Sequence, residues 1–288
     1  MKKIAILGCE NSHANSFLAQ LRDGRHPDVE VIGVYSHEEA PCQKLHDEFG
    51  VPIMQSYDEL VGKVDGIMIT ARHGDNHYKY AKPYLASGIS MFIDKPITCN
   101  GAEAVEFMRE AKKYGARLSG GSSCKYLPTI VELAEQYRNG DFGDMHGAHI
   151  CAPVDIPSEH GGFYFYSQHL VQMMTTVFGN GVSSVNADFG ELDATAVMRY
   201  KDFGVTASYT GKCYNYFASV YGNKLARAEK CEFSSVCFER EFDDFYDLLT
   251  GKEMKESYDD FIYPVFVLDA LVRSNESKQW EAVNVIPV

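Results

Sequence analysis

The sequence predicts an α/β fold: a doubly wound parallel sheet over residues 1–120, then an α+β domain with an open, mostly antiparallel sheet over residues 121–288. Three observations predict it. The N-terminal part alternates short apolar runs with stretches of helical periodicity, as parallel strands covered by helices do. After Gly120-Gly121 the pattern changes to alternating or β-branched runs bounded by turns. Finally, 288 residues that are 45% hydrophobic and 23% charged can build about two soluble domains with real cores.

The elements follow in order. Ile4 to Leu7 is a buried strand, and Ala14, Phe17, Leu18 and Leu21 then fall on one face of a helix. Val29 to Tyr35 is a second strand, followed by a helix around Cys42, Leu45 and Phe49 that stops at Gly50. Ser56 and Glu59 have the spacing of a capping box, which predicts a short helix there. Ile67 to Thr70 is a strand, and a helix carrying His77, Ala81, Tyr84 and Leu85 leads to Gly88. Ser90 to Ile93 is the next strand, and Asn100 with Glu103 caps the helix after it. A helix bearing Ile130, Leu133, Ala134 and Tyr137 opens the second part. Runs such as Ala194 to Tyr200 and Val205 to Tyr209, with turns at Asp202-Phe203-Gly204 and Tyr221-Gly222-Asn223, then predict antiparallel strands. Two helices close the chain, one from Phe242 to Gly251 and one from Asp259 to Arg273.

Composition excludes some partners. With 27 basic and 40 acidic residues the formal charge is -13, so a nucleic acid or an anionic membrane surface meets net repulsion. The run Ile4 to Leu7 is too short for a signal peptide, and no later run could span a bilayer. The eight cysteines contain no C-x-x-C pair and are expected to be reduced thiols, which points to a cytoplasmic protein.

Chemistry concentrates in a few places. Gly8 directly follows the first strand and opens a helix, where doubly wound folds bind the pyrophosphate of a dinucleotide. The G-x-G-x-x-G fingerprint is otherwise broken, with Glu10 and His13 at the later glycine positions. A carboxylate at Glu10 is expected to repel the phosphates. At the end of the second strand, where an acidic residue usually accepts from the adenosine ribose, stand Ser36 and His37. That pair leaves room for a ribose phosphate and leans toward NADP over NAD, an inference that Glu38 and Glu39 oppose. Asp94-Lys95-Pro96 places a lysine at the carboxyl end of a strand, the ligand-binding edge of such sheets, and the proline permits a cis bond.

Asp94-Lys95-Pro96-Ile97 resembles the Glu-Lys-Pro strand end of the Gfo/Idh/MocA dehydrogenases, a Rossmann-fold family. Thr70 with His77, Asp193-Ala194-Thr195-Ala196, Tyr221-Gly222-Asn223 and the two terminal helices resemble further family segments in the family's order. Gly161-Gly162 and His169 match its second-domain helix motif, but Phe165 and Gln172 stand where many members have Asp. The run Phe163 to His169, and the first loop Gly8 to His13, resemble variant branches.

The resemblance implies an NAD(P)-dependent oxidoreductase acting on a hydroxyl or carbonyl of a sugar, cyclitol or similar small polyol, in a homo-oligomer (dimer or tetramer). It implies catalysis by Lys95, which holds the reacting oxygen, and His169, since an unperturbed imidazole with a pKa of about 6.5 suits proton transfer near neutrality, with Tyr166 as a second acid one helical turn away. The implied cofactor-binding set is Gly8, Asn11, Ser12, His13, Ser36, His37, Thr70, His77, Asp94 and Lys95. Two alternatives stand beside this: a catalytically silent nucleotide- or sugar-binding regulatory relative, and an NAD-dependent glycosidase or epimerase. No metal is expected. His146 and His149 fall on opposite faces of a strand, and His73, His77 and Asp75 are read as capping and lining a loop.

Overall fold

The structure, a computed structural model, describes residues 1–288. The chain forms two compact units. The first comprises Met1–Gly121, Phe238–Phe261 and Val288, and the second comprises Ser122–Cys237 and Ile262–Pro287. A contiguous division at residue 120 would count Phe238–Phe261 with the second domain. It packs with the first because Phe242, Phe245 and Leu249 share a core with Ile4, Ile6, Phe17 and Phe92.

In the first unit the strands are β1 (Lys2–Leu7), β2 (Val29–Tyr35), β3 (Gly66–Ile69), β4 (Ser90–Asp94) and β5 (Arg117–Gly121), in a five-stranded sheet of order β2-β1-β3-β4-β5. All neighbours pair in parallel. Ile4 to Leu7 and Ile67 to Ile69 are fully buried, as expected of strands covered on both faces. A single parallel bridge joins Val34 of β2 to Ile53 on its outer side. Counted as a vestigial strand, it yields the 3-2-1-4-5-6 order of dinucleotide-binding folds, with the order reversing between β1 and β3.

The connecting helices are α1 (Ser12–Arg22), α2 (Glu39–Phe49), α3 (Asp75–Leu85) and α4 (Gly101–Tyr114). Asn100 Oδ1 accepts from Glu103 N at 2.8 Å, the predicted cap of α4. The helix predicted from Ser56 and Glu59 is absent. Ser56 Oγ donates to Asp58 instead, Glu59 accepts from Gln55 N, and the backbone runs through i to i+3 turns such as Val61 N to Asp58 O. The side chains that would cap the helix are used within the turn itself.

In the second unit a 3-10 turn at Ser123–Tyr126 precedes α5 (Pro128–Asn139), β6 (Met145–Val154) and α6 (Tyr164–Phe178). Then come β7 (Ser184–Phe189), β8 (Ala194–Arg199), β9 (Gly204–Gly211), β10 (Phe217–Gly222) and β11 (Ala226–Lys230), followed by α7 (Ser235–Leu249), α8 (Tyr258–Ser277) and β12 (Glu281–Ala282). The seven-stranded sheet has the order β11-β10-β6-β9-β8-β7-β12. It is mostly antiparallel, with β6 and β9 parallel. Leu170, Val171, Met173, Met174 and Val177 of α6 share a core with Ile150, Ala152, Val205 and Ala207 of the sheet. This apolar stripe fixes the rotation of α6, and with it the direction of its polar residues.

All eight cysteines are free thiols. No helix is long and apolar enough to cross a membrane.

Candidate functional site

The first-unit cluster lies at the carboxyl ends of β1, β3 and β4. Gly8 has φ +78, and a Cβ there would stand 2.4 Å from Ala71 Cα, so only glycine allows β1 and the segment after β3 to approach so closely. Thr70 Oγ1 donates to Gly8 O at 2.9 Å and closes that gap. Asn11 occupies the N-cap of α1 in extended conformation, yet its side chain makes no cap. Nδ2 donates instead to Asp94 Oδ2 at 3.0 Å. With no acidic residue in its first turn either, α1 presents backbone N–H groups suited to an anion.

Asp94 is the hub under this loop. Its carboxylate contacts His13 Nδ1 at 2.7 Å and accepts from Lys95 N at 2.7 Å. Burial pushes its pKa up, but His13, Lys95 and His77 outweigh burial and hold it below the usual carboxylate range. The His13 ring packs edge-on against Phe17 and Phe238. Lys95 is buried and is joined to Pro96 by a cis peptide bond.

Glu10 does not stand where the sequence places it, against the phosphates. It is buried, with Ser36 Oγ donating to Oε2 at 2.8 Å and Arg72 N donating to Oε1 at 3.1 Å, and these two donors turn the carboxylate aside. Ser36 Oγ also accepts from Glu38 N at 3.1 Å. His37 is exposed and lies 3.7 Å from Glu38, and Ser12 is exposed at the start of α1.

Three residues of the expected cofactor-binding set are completely shielded from solvent: Thr70, His77 and Asp94. Each is bonded within the loops at the ends of β1, β3 and β4: Thr70 to Gly8 O, Asp94 to Asn11 and Lys95, and His77 to Ala71 O. His77 Nε2 lies 2.8 Å from Ala71 O, and burial pushes its pKa down, with carbonyls of the surrounding loops and Asp94 opposing. Nearby, Asp75 N donates to His73 Nδ1 at 3.3 Å, and Cys99 brings a third side chain able to ligate a metal within 4.8 Å of both.

The second-unit cluster is built on α6. His169 is buried, with Nδ1 2.6 Å from Ser122 Oγ and 3.4 Å from Cys124 Sγ. Ser122 is itself held: its Oγ accepts from Cys124 N at 3.1 Å, and its N donates to Gln172 Oε1 at 3.2 Å. Gln168 Nε2 donates to the same Gln172 oxygen at 3.3 Å. Gln172 thus anchors the segment that carries the histidine's partner. Tyr166 lies beside the imidazole, with ring centroids 5.3 Å apart, and Tyr216 and Tyr214 complete an aromatic wall. Phe165 packs edge-on against Tyr166 and tilts against His160. Burial, then Cys124, push the Tyr216 pKa far above its usual value. The sequence reading missed Ser122 and Cys124. Their one local signal is the position of Ser122-Ser123 immediately after the glycine end of β5.

Residues 2–122 match the GFO_IDH_MocA oxidoreductase family, described by its NAD-binding Rossmann fold. A 215-residue segment is 25% identical to trans-1,2-dihydrobenzene-1,2-diol dehydrogenase of Mus musculus, covering 68% of this chain and 64% of that protein. The chain therefore spans less than two thirds of the length of this curated relative. Among solved structures, a protein of gentamicin A biosynthesis in complex with NAD superposes with a TM-score of 0.87 at 16% identity, over 98% of this chain and 96% of that one. Apo scyllo-inositol dehydrogenase from Lactobacillus casei superposes with a TM-score of 0.84 at 14% identity, over 98% of both chains. At such identities the superpositions establish a shared fold.

Proposed function

We propose that this chain, whose residues 2–122 match the Gfo/Idh/MocA family's NAD-binding Rossmann fold, is an NAD(P)-dependent dehydrogenase of a small polyol such as a cyclitol, a sugar or a related vicinal diol. The observation that carries the proposal is the start of α1. Asn11 is drawn away to Asp94, so the helix N-terminus is left without a side-chain cap beside a glycine that lets the backbone approach closely. That combination fits a pyrophosphate, and the turned-aside Glu10 removes the charge that would oppose it.

The bound nicotinamide would accept or supply the hydride. The chain's own residues do the rest. Lys95, its backbone set by Asp94, holds the reacting oxygen and stabilises negative charge developing on it. His169, with Nδ1 fixed by Ser122, moves the hydroxyl proton at Nε2. Tyr166, against the same imidazole, is a second proton donor. The substrate class rests on the names of the relatives, which act on a trans-1,2-diol and on scyllo-inositol, both bearing neighbouring hydroxyls. The chain is proposed to work as a homo-oligomer, without nucleic acid or membrane partners.

A second reading, a nucleotide-binding relative without catalysis, is favoured by one feature: a serine hydroxyl, in place of a carboxylate, faces His169 Nδ1 and stabilises an imidazolium less well. Titration with NADH and NADPH, followed by nicotinamide fluorescence, tests the cofactor, and turnover across a panel of inositols, sugars and cyclic diols tests the reaction. Turnover should vanish in Lys95→Ala and His169→Ala while nucleotide binding persists. Binding without turnover of any panel member supports the silent relative, and no binding of either nucleotide at millimolar concentration rejects the dehydrogenase.

A further inference from the structure

We infer that Glu10, a residue of the first loop, reads the adenosine ribose of the dinucleotide and selects the unphosphorylated 2′,3′-diol, making this an NAD rather than an NADP site. The inference rests on the nicotinamide dinucleotide of the proposed function and specifies how it is discriminated.

In doubly wound nucleotide-binding folds the carboxylate that accepts the ribose hydroxyls stands just after the second strand. Here β2 ends at Tyr35, and the next position is Ser36. A serine there cannot supply the charge. Yet Ser36 Oγ donates at 2.8 Å to Glu10 Oε2, so a carboxylate does sit within hydrogen-bond distance of that position, delivered from the neighbouring loop. Its second oxygen is pinned by Arg72 N at 3.1 Å. The charge has moved in sequence and stayed in place in space.

The remaining acceptor capacity suits a diol. An ionised carboxylate offers about four lone-pair sites, and the two protein donors occupy one on each oxygen. One site per oxygen is left, which matches two neighbouring hydroxyl donors. A 2′-phosphate presents no donor of this kind and carries up to about two negative charges toward a carboxylate that burial leaves poorly screened. The cation that Ser36-His37 offered to such a phosphate is exposed and already lies 3.7 Å from Glu38. Arg72 meets Glu10 through its backbone amide. The placement of Glu10 therefore reverses the lean toward NADP that Ser36 and His37 carry when read by themselves.

The test uses the full chain and equilibrium binding, with no turnover required. Wild-type protein is titrated with NADH and NADPH by fluorescence, and with ADP-ribose and its 2′-phosphate by calorimetry. We expect each unphosphorylated ligand to bind at least tenfold more tightly. In Glu10→Gln, which keeps the shape and removes the charge, NADH should weaken about tenfold while NADPH holds or tightens. Adding Ser36→Asp to that variant should restore the preference by returning a carboxylate to the end of β2. Equal binding or an NADPH preference in the wild type overturns the inference and leaves the dehydrogenase reading intact, as does an unchanged ratio in Glu10→Gln. Binding of neither nucleotide overturns both. If circular dichroism shows Glu10→Gln unfolded, Glu10→Asp decides: it withdraws the carboxylate from the end of β2 by one methylene, so an unchanged NADH to NADPH ratio refutes the role of Glu10.

Discussion

Ser122 Oγ lies 2.6 Å from His169 Nδ1, across 47 residues of sequence, and the hydroxyl is held in turn by Cys124 N. With one of its two lone pairs taken by Cys124 N, the serine oxygen can accept Nδ1–H on the other, which puts the ring's lone pair on Nε2. The pair therefore orients the ring and biases its tautomer, as a carboxylate does in other histidine sites, but with weaker stabilisation of the charged form.

Ser122→Ala should lower kcat about tenfold and shift the pH profile of kcat, because the ring loses its orienting partner. Binding of NADH should be unchanged. Steady-state kinetics across pH, with NADH titration as the control, check this; an unaltered pH profile would show that Ser122 only packs.

Gly8→Ala should destabilise the protein by about 2 kcal/mol or more. The left-handed backbone alone costs an L-residue roughly 1–2 kcal/mol, and the new Cβ would collide with Ala71 backbone. Urea unfolding monitored by circular dichroism reads the loss, and nucleotide affinity should fall with it, since the loop cannot keep its approach to the strand after β3.

Stability should fall with acid in two separate windows. His77 has its pKa pushed down mainly by burial, so below about pH 6.5 the unfolded chain takes up a proton that the folded chain refuses, and stability drops. His26 and His149 are lowered for the same reason and act in the same direction. Asp94 works at lower pH. Burial raises its pKa but is outweighed by His13 and Lys95, so its contribution is present above about pH 4 and is lost as pH falls further. Denaturant midpoints measured from pH 8 to 3 should show both declines. His77→Gln should flatten the first, and Asp94→Ala should cost about 3 kcal/mol at pH 7 while removing part of the second.

Phe242→Ala should destabilise the first unit by about 3–5 kcal/mol. The side chain is fully buried in a helix that follows the second unit's sheet in sequence but packs beside Phe17, 5.5 Å between ring centroids. Hydrogen exchange should speed up in β1 and α1; exchange unchanged there would contradict the placement of this helix.

Local pattern was enough for most of the framework. The runs Ile4 to Leu7 and Ile67 to Ile69 are apolar throughout because both faces of a parallel strand are covered. The Asn100 cap was legible because its partner lies three residues away. The Ser56-Glu59 spacing misled for the complementary reason: a capping motif is necessary local chemistry, but the same side chains can satisfy a turn. The site was less legible. Lys95, His169 and Tyr166 stand out as candidates by type and position, whereas the complete burial of Thr70, His77 and Asp94 is a property of packing that no motif encodes.

By itself, then, the sequence determined the alternation of strands and helices, the glycine after β1, the acidic surface balance and the residue types that could do proton chemistry. Only the tertiary structure decided where charges point. It turned Glu10 from the phosphate position toward Ser36, gathered Asn11, His13 and Lys95 around Asp94, gave His169 a serine for a partner, and returned Phe242 to the first core. The physical reason is the same throughout. Periodicity and capping act over a few residues, while hydrogen bonds to buried polar groups are made with whatever donor the fold brings within about 3 Å, however distant in sequence.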